Sequence, residues 1–238
     1  MRIEVTPHPK WLQGLLEHLE PLERRIVNHE YFQEMAGGTL SIERFHWGLI
    51  NFYPLVETFP KYMALNLAKV PAGEAGWNGR TRHWLIKNIS TERVHANWWR
   101  HWARGFGVKP ELLDAEILPP SQMDSINNYL WRVSTHGSLA EAIAATNYSV
   151  EGPTGQWTRQ VAPGLPKYHG KAGVEVEEKT VQWVAAHADY DDKHPYEALE
   201  LIKAFVSNPE EQRKVGNAAE RAMEYYAMAL DACYEMRA

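Results

Sequence analysis

Apolar positions recur at helical spacing almost from one end of the chain to the other. Over residues 9–28, Trp11, Leu15, Leu16, Leu19, Leu22 and Ile26 form one stripe, which predicts a first helix with Pro21 as a local kink. A short helix is expected over 29–35, stopped by Gly37-Gly38. Ser41 then fits an N-cap with Glu43 in the first turn, opening one long core helix to Ala68 that carries Phe45, Leu49, Phe52, Val56, Phe59, Met63 and Leu67. A Gly-rich loop over 71–79 leads to a helix through Trp84, Leu85 and Ile89 into Glu92, His95 and Trp99. Pro119-Pro120 breaks the chain, and a helix follows from Ser121 to about Val133. Ser138 with Glu141 reads as a capping box that opens a helix over 142–150, reaching Glu151 directly before Gly152-Pro153, where Pro153 should kink or unwind it. A loop rich in Pro and Gly spans 162–173. Next comes a helix bearing His187, Asp191 and His194, interrupted at Pro195, and Asn208-Pro209 starts a last helix to about Met236. No stretch alternates with period two for long enough to be a strand. The pattern predicts an all-α chain.

Composition narrows this picture. With 238 residues and 45% hydrophobic positions the chain can fill one large core, and the aromatic residues run from Trp11 to Tyr234 without a gap that would mark a linker, so 1–238 reads as a single domain. A formal net charge of −5 argues against nucleic acid or an anionic membrane surface as partner. There is no apolar run long enough for a membrane span and no signal-peptide core, which makes the cytoplasm the expected compartment. The single cysteine, Cys233, rules out an internal disulfide framework and a cysteine-rich zinc site.

Three places carry candidate chemistry. At about 100° per residue, positions 187, 191 and 194 fall within roughly 60° on one helix, so His187, Asp191 and His194 share a face, a donor set suited to iron, manganese or zinc. That triplet alone fits a metal or a solvated face equally. Glu92 and His95 stand three residues apart, the spacing with which helical bundles aim a carboxylate and an imidazole at an interior metal pair. Glu151 would end a helix among alanines, where the helix dipole disfavours it unless something holds it. Glu57, beside the apolar stripe, reads as a rim carboxylate rather than an interior ligand. Together the three helices offer three carboxylates and three imidazoles, the inventory of a dinuclear iron or manganese site, whereas zinc hydrolysis usually needs three protein ligands.

The segment Phe59-Pro-Lys-Tyr62, the run Asn88-Ile-Ser-Thr-Glu92 with His95 and Phe106-Gly-Val-Lys-Pro-Glu111, the pair Tyr148 and Glu151, and His187-x-x-x-Asp191-x-x-His194 resemble the haem-oxygenase-like superfamily. Within it they are similar to the dimetal oxidases, the branch that includes the chlamydial death-domain-associating protein. The resemblance covers nearly the whole chain. It implies a seven-helix bundle with two iron ions, or iron and manganese, held by Glu92, His95, Glu151, His187, Asp191 and His194, using dioxygen as co-substrate on a small organic molecule. It also suggests a homodimer, as does the heavy aromatic load. Phe32 and Val161 stand where the chlamydial branch has a consumed tyrosine and a lysine, and Tyr31 is expected to face elsewhere, so self-sacrificing aminobenzoate synthesis is not expected. The alternatives are a hydrolase of the thiamin-salvage (TenA-like) branch, whose mid-chain cysteine nucleophile is missing here, and a non-catalytic binding or regulatory protein of the same fold. A haem oxygenase would need an axial histidine on the first helix, for which His18 or His29 are candidates.

Overall fold

The computed structural model describes residues 3–189 and 194–235. Its helices are α1 (Lys10–Val27), α2 (Glu30–Gly37), α3 (Ile42–Asn51), α4 (Tyr53–Ala68), α5 (Gly76–Gly105), α6 (Pro110–Asp114), α7 (Ser121–His136), α8 (Leu139–Ile143), α9 (Glu151–Val161), α10 (Glu178–Asp189), α11 (His194–Phe205) and α12 (Pro209–Tyr234). The all-α expectation holds, and no strand occurs among the described residues. The chain is cut more finely than seven helices, because ten of these segments run eight residues or more and α6 and α8 are single turns.

The start signals act as the sequence suggests. Ser41 accepts a hydrogen bond from the Arg44 N–H, Ser138 and Glu141 form the reciprocal capping box, and Asn208 accepts from the Glu211 N–H. Each cap satisfies donors that would otherwise lack a partner, worth about 1 kcal/mol. α5, the longest helix, packs against α4 on one side and α10 on the other, while α12 lies against α7, α1 and the turn before α9. One continuous core joins them, with Leu12, Leu19 and Ile26 of α1, Phe45 of α3, Tyr62 and Met63 of α4, Trp102 of α5 and Leu230 of α12 all essentially inaccessible.

Proline accounts for three departures from expectation. The single helix expected from Ser41 to Ala68 is divided at Phe52, because Pro54 in the first turn of α4 has no N–H to continue the ladder. Glu151 does not end a helix. After α8, residues Ala144–Tyr148 form a π-helical turn, and α9 then begins at Glu151 and runs through Pro153 to Val161. Pro153 is tolerated because the N–H groups of a first turn lack intrahelical acceptors in any case. The dipole argument therefore reverses, since a carboxylate at a helix N-terminus is favoured. Likewise Pro195, expected to interrupt a helix, lies in the first described turn of α11, and His187 and His194 are described on α10 and α11 respectively. Asp191 lies outside the described residues.

Candidate metal centre and its cavity

The buried face of α5 turns polar in its middle, where Asn88, Glu92 and His95 follow Trp84 and Leu85 and precede Trp99 and Trp102. His95 Nδ1 lies 2.6 Å from Glu92 Oε2. A carboxylate oxygen only accepts, so Nδ1 carries a proton, and in the neutral imidazole the lone pair is on Nε2. On α10, the Nδ1–H of His187 donates to the Trp183 carbonyl at 2.7 Å, which likewise leaves Nε2 as the free lone pair. A ring nitrogen pinned by a backbone carbonyl is how proteins prepare the other nitrogen for a metal. The His187 ring stands 4.6 Å from that of His95 and 4.0 Å from Trp183. Burial, and then the neighbouring His95, pulls the His187 pKa from 6.5 down to about 4, so the imidazole is neutral at pH 7.

The second group of donors comes from α9 and α11. In the π turn, the Ser149 N–H reaches the Ala144 carbonyl at 3.0 Å and Ser149 Oγ donates to the same oxygen. The residue this turn adds rotates the chain that follows, and Asn147 Nδ2 donates to Glu151 Oε1 at 2.9 Å. His194 Nδ1 is 3.8 Å from Glu151 Oε2, and burial lowers the His194 pKa. Glu197, one turn further on, accepts from Trp84 Nε1 at 2.7 Å and so ties the start of α11 to α5. Buried alanines of the π turn and of α12, among them Ala145 and Ala222, allow these helices to approach closely, as expected.

Five of the six expected ligands thus converge, Glu92, His95 and His187 as one group and Glu151 with His194 as the other. Among the described residues, no three His, Cys, Asp or Glu side chains stand close enough to hold one ion. The donor types nonetheless fit iron or manganese, because the carboxylates supply negative charge and the imidazoles are buried or partly buried, with His187 neutral and its tautomer fixed.

Glu92, Glu151 and His187 also border a cavity of about 80 Å³, otherwise walled by side chains such as Phe32, Leu49, Phe59, Trp99, Trp157 and Leu230. Sequence reasoning missed part of this wall. Tyr31, expected to face elsewhere, lines the cavity together with Phe32. Tyr226 does too, and its hydroxyl accepts from Trp157 Nε1 at 2.9 Å. Glu57 is exposed and lies 3.9 Å from Lys61, and Tyr148 faces a separate surface cleft beside Glu23 and Tyr196. His18 is an exposed partner of Glu220, and His29 caps α2 and contacts Asp231, so both haem-ligand candidates are engaged elsewhere. Cys233 is fully buried, with its thiol pushed up to about 12 by burial.

The family model described as iron-containing redox enzyme matches residues 46–227. The chain belongs to this haem-oxygenase-like family. Its fold is shared by a TenA homologue from Pseudomonas syringae pv. tomato DC3000, at 33% identity and a TM-score of 0.88 over 98% of this chain and 99% of that one. A TenA homologue from Pyrococcus furiosus superimposes at 19% identity and a TM-score of 0.75, covering 94% of this chain and 100% of that one. A CADD-like protein of unknown function from Nostoc punctiforme PCC 73102 does so at 14% identity and 0.68, covering 94% and 96%. None of the curated proteins compared with this family member matched it.

Proposed function

We propose that the protein is a non-haem dimetal oxidase or oxygenase, carrying two iron ions or iron with manganese, that uses dioxygen on a small organic substrate. The observation that carries this reading is that Glu92, Glu151 and His187, from three different helices, border one apolar cavity. Glu92, His95, Glu151, His187 and His194 would hold the metals, with Asp191 as the sixth ligand. When bound, the pair supplies redox chemistry toward dioxygen that no side chain possesses. The protein's own part is to balance the cations with carboxylates, to offer imidazoles at neutral pH, and to keep water from the reacting centre with an aromatic wall. The test is metal analysis of protein produced with iron supplied, combined with oxygen uptake by the reduced protein. Up to two ions per chain and uptake that His187→Ala and Glu151→Ala both abolish are expected. Iron-loaded protein that takes up no oxygen would overturn the oxidase reading.

The relationship to a TenA homologue at 33% identity favours a second reading, a hydrolase of the TenA-like kind. Such an enzyme would keep its activity after chelation. Its nucleophile would have to be something other than Cys233, whose buried thiol stays protonated at neutral pH.

A further inference from the structure

The surface cleft beside α9 is built differently from the enclosed cavity. α1, α9 and α11 converge on it, since the position a Cβ would take at Gly152 lies 3.7 Å from Pro195 and 3.9 Å from Glu23 Oε1. Its volume is about 590 Å³, against about 80 Å³ for the cavity. Tyr148 lines the cleft and is only 9% exposed, yet its hydroxyl is not sealed from solvent and has no hydrogen-bond partner among the described residues. The groups whose charge this hydroxyl feels are Glu23 and Tyr196, both in the cleft wall, which places the oxygen on the cleft side of its ring. A tyrosine buried to this extent normally finds a partner for its hydroxyl. Here the hydroxyl is offered to the cleft.

The α1 wall decides what would take that offer. Glu17, Glu20 and Glu23 enter the lining at three-residue spacing, which keeps them on one side of the helix. Against these carboxylates the described lining holds one cation, Arg159. Glu20 is paired with Arg24, whereas Glu23 accepts from Gln156 Nε2 through Oε1 and keeps Oε2 for another donor. Burial, opposed by the Gln156 hydrogen bond and reinforced by Glu20, holds the Glu23 carboxyl above its ordinary pKa, so a positive charge arriving beside it is favoured. A single inorganic ion does not fit, because among the described residues no three such side chains stand close enough to share one. Leu16, Leu199 and the exposed ring of Tyr196 add apolar surface, which suits a cation carried on an apolar body.

We infer that the cleft is a binding site for a primary ammonium ion on an apolar or aromatic body. Such an ammonium donates to the Tyr148 hydroxyl oxygen and to Glu23 Oε2 together, while Glu17 and Glu20 balance its charge. Tyr148 and Glu23 are near enough to interact, yet no hydrogen bond joins them, so a donor with several N–H groups satisfies both. A quaternary ammonium has the charge without the donors, and an alcohol has a donor without the charge. The site depends on neither reading of the metal centre, although Gly152 and Pro195 in its wall directly follow Glu151 and His194 in sequence.

The test is calorimetric titration of the protein as purified, at low salt, with 2-phenylethylamine, the neutral 2-phenylethanol and the quaternary trimethyl(2-phenylethyl)ammonium ion. The amine is expected to bind at least about tenfold more tightly than the alcohol, the difference one charge-assisted hydrogen bond makes, and more tightly than the quaternary ion. Tyr148→Phe should bring the amine and the quaternary ion closer in affinity. Glu23→Gln should weaken the amine by about tenfold and leave the alcohol unchanged, and Tyr196→Ala, at an exposed position, should weaken all three. Equal affinity for amine and alcohol, or a quaternary ion bound as tightly as the amine, would overturn the proposal, and these comparisons need only the native protein should Tyr148→Phe not fold. Amine binding that survives both Glu23→Gln and Tyr196→Ala would also overturn it, by placing the amine at the carboxylates of the metal centre or elsewhere on the molecule.

Discussion

Gly48 shows how tightly single side chains are fitted behind the cavity. A Cβ built there would collide with the Tyr31 hydroxyl and lie 3.2 Å from Cys233 Sγ. Gly48→Ala should therefore cost roughly 1–3 kcal/mol, the usual penalty of overpacking. Adding Tyr31→Phe, which removes the obstructing oxygen, should recover part of the loss in a denaturation double-mutant cycle. Strict additivity of the two substitutions would show that the crowding is not there. Nearby, His187 makes a pH prediction for the metal-free protein. Its pKa falls from 6.5 in the unfolded chain to about 4 in the folded one, so between these values the unfolded state binds the extra proton. Stability should then be lost as pH falls from about 6.5 toward 4, by roughly 2–3 kcal/mol at pH 4.5, and be unaffected by this group above pH 7. His187→Gln should flatten that part of the curve, and urea unfolding of both forms at pH 7 and 4.5 measures the difference. An equal pH response in both would remove His187 as its cause.

At the scale of elements, what could be read from the sequence was whatever is encoded locally. The caps at Ser41, Ser138 and Asn208, the stop at Gly38, and the polar interruption of the α5 face at Glu92 and His95 all depend on neighbours a few residues away. The π turn and the two prolines of α9 and α11 were misread, because Pro153 and Pro195 look like breaks until it is known that they lie in the first described turns of helices. Only the tertiary setting makes the π turn worthwhile, since Ser149 Oγ is also within 3.1 Å of the Ala219 carbonyl on α12. The facing of Tyr31 was hidden for a related reason. α2 is a short helix wedged against α9 and the 3₁₀ segment Ala162–Tyr168, so it buries consecutive residues, Tyr31 at 4% and Phe32 at 3% exposure, rather than one stripe. Ser149→Ala should cost about 1 kcal/mol through its hydrogen bonds. If the turn aims Glu151, this variant should also lower iron occupancy, and metal analysis of the folded variant decides. Full occupancy would show that Glu151 holds its place without the turn.

For the whole molecule, the aromatic load that suggested a homodimer is mostly spent inside. Among the described residues, Trp131 is the only exposed tryptophan, at 42%, and Tyr196 the only exposed tyrosine, at 54%. We keep the dimer as a proposal that light scattering decides, since a particle near the chain mass of 27.3 kDa at micromolar concentration would refute it. No helix among the described residues is long and apolar enough to cross a membrane. The centre itself should act as a fastener between elements distant in sequence, because its donors come from α5, α9, α10 and α11. A ligand present at about a hundred times its dissociation constant stabilises the folded state by about 2.7 kcal/mol, and in a chain of this size each kcal/mol moves Tm by about 2–4 °C. Ferrous iron added without oxygen should therefore raise the Tm of the stripped protein by about 5–10 °C. Glu151→Ala and His187→Ala attack different halves of the centre, so each should remove most of that rise, whereas the exposed Glu57→Ala should leave it intact. A rise that survives both ligand substitutions would place the metal elsewhere, and no rise in the native protein would mean that these helices are not joined by iron.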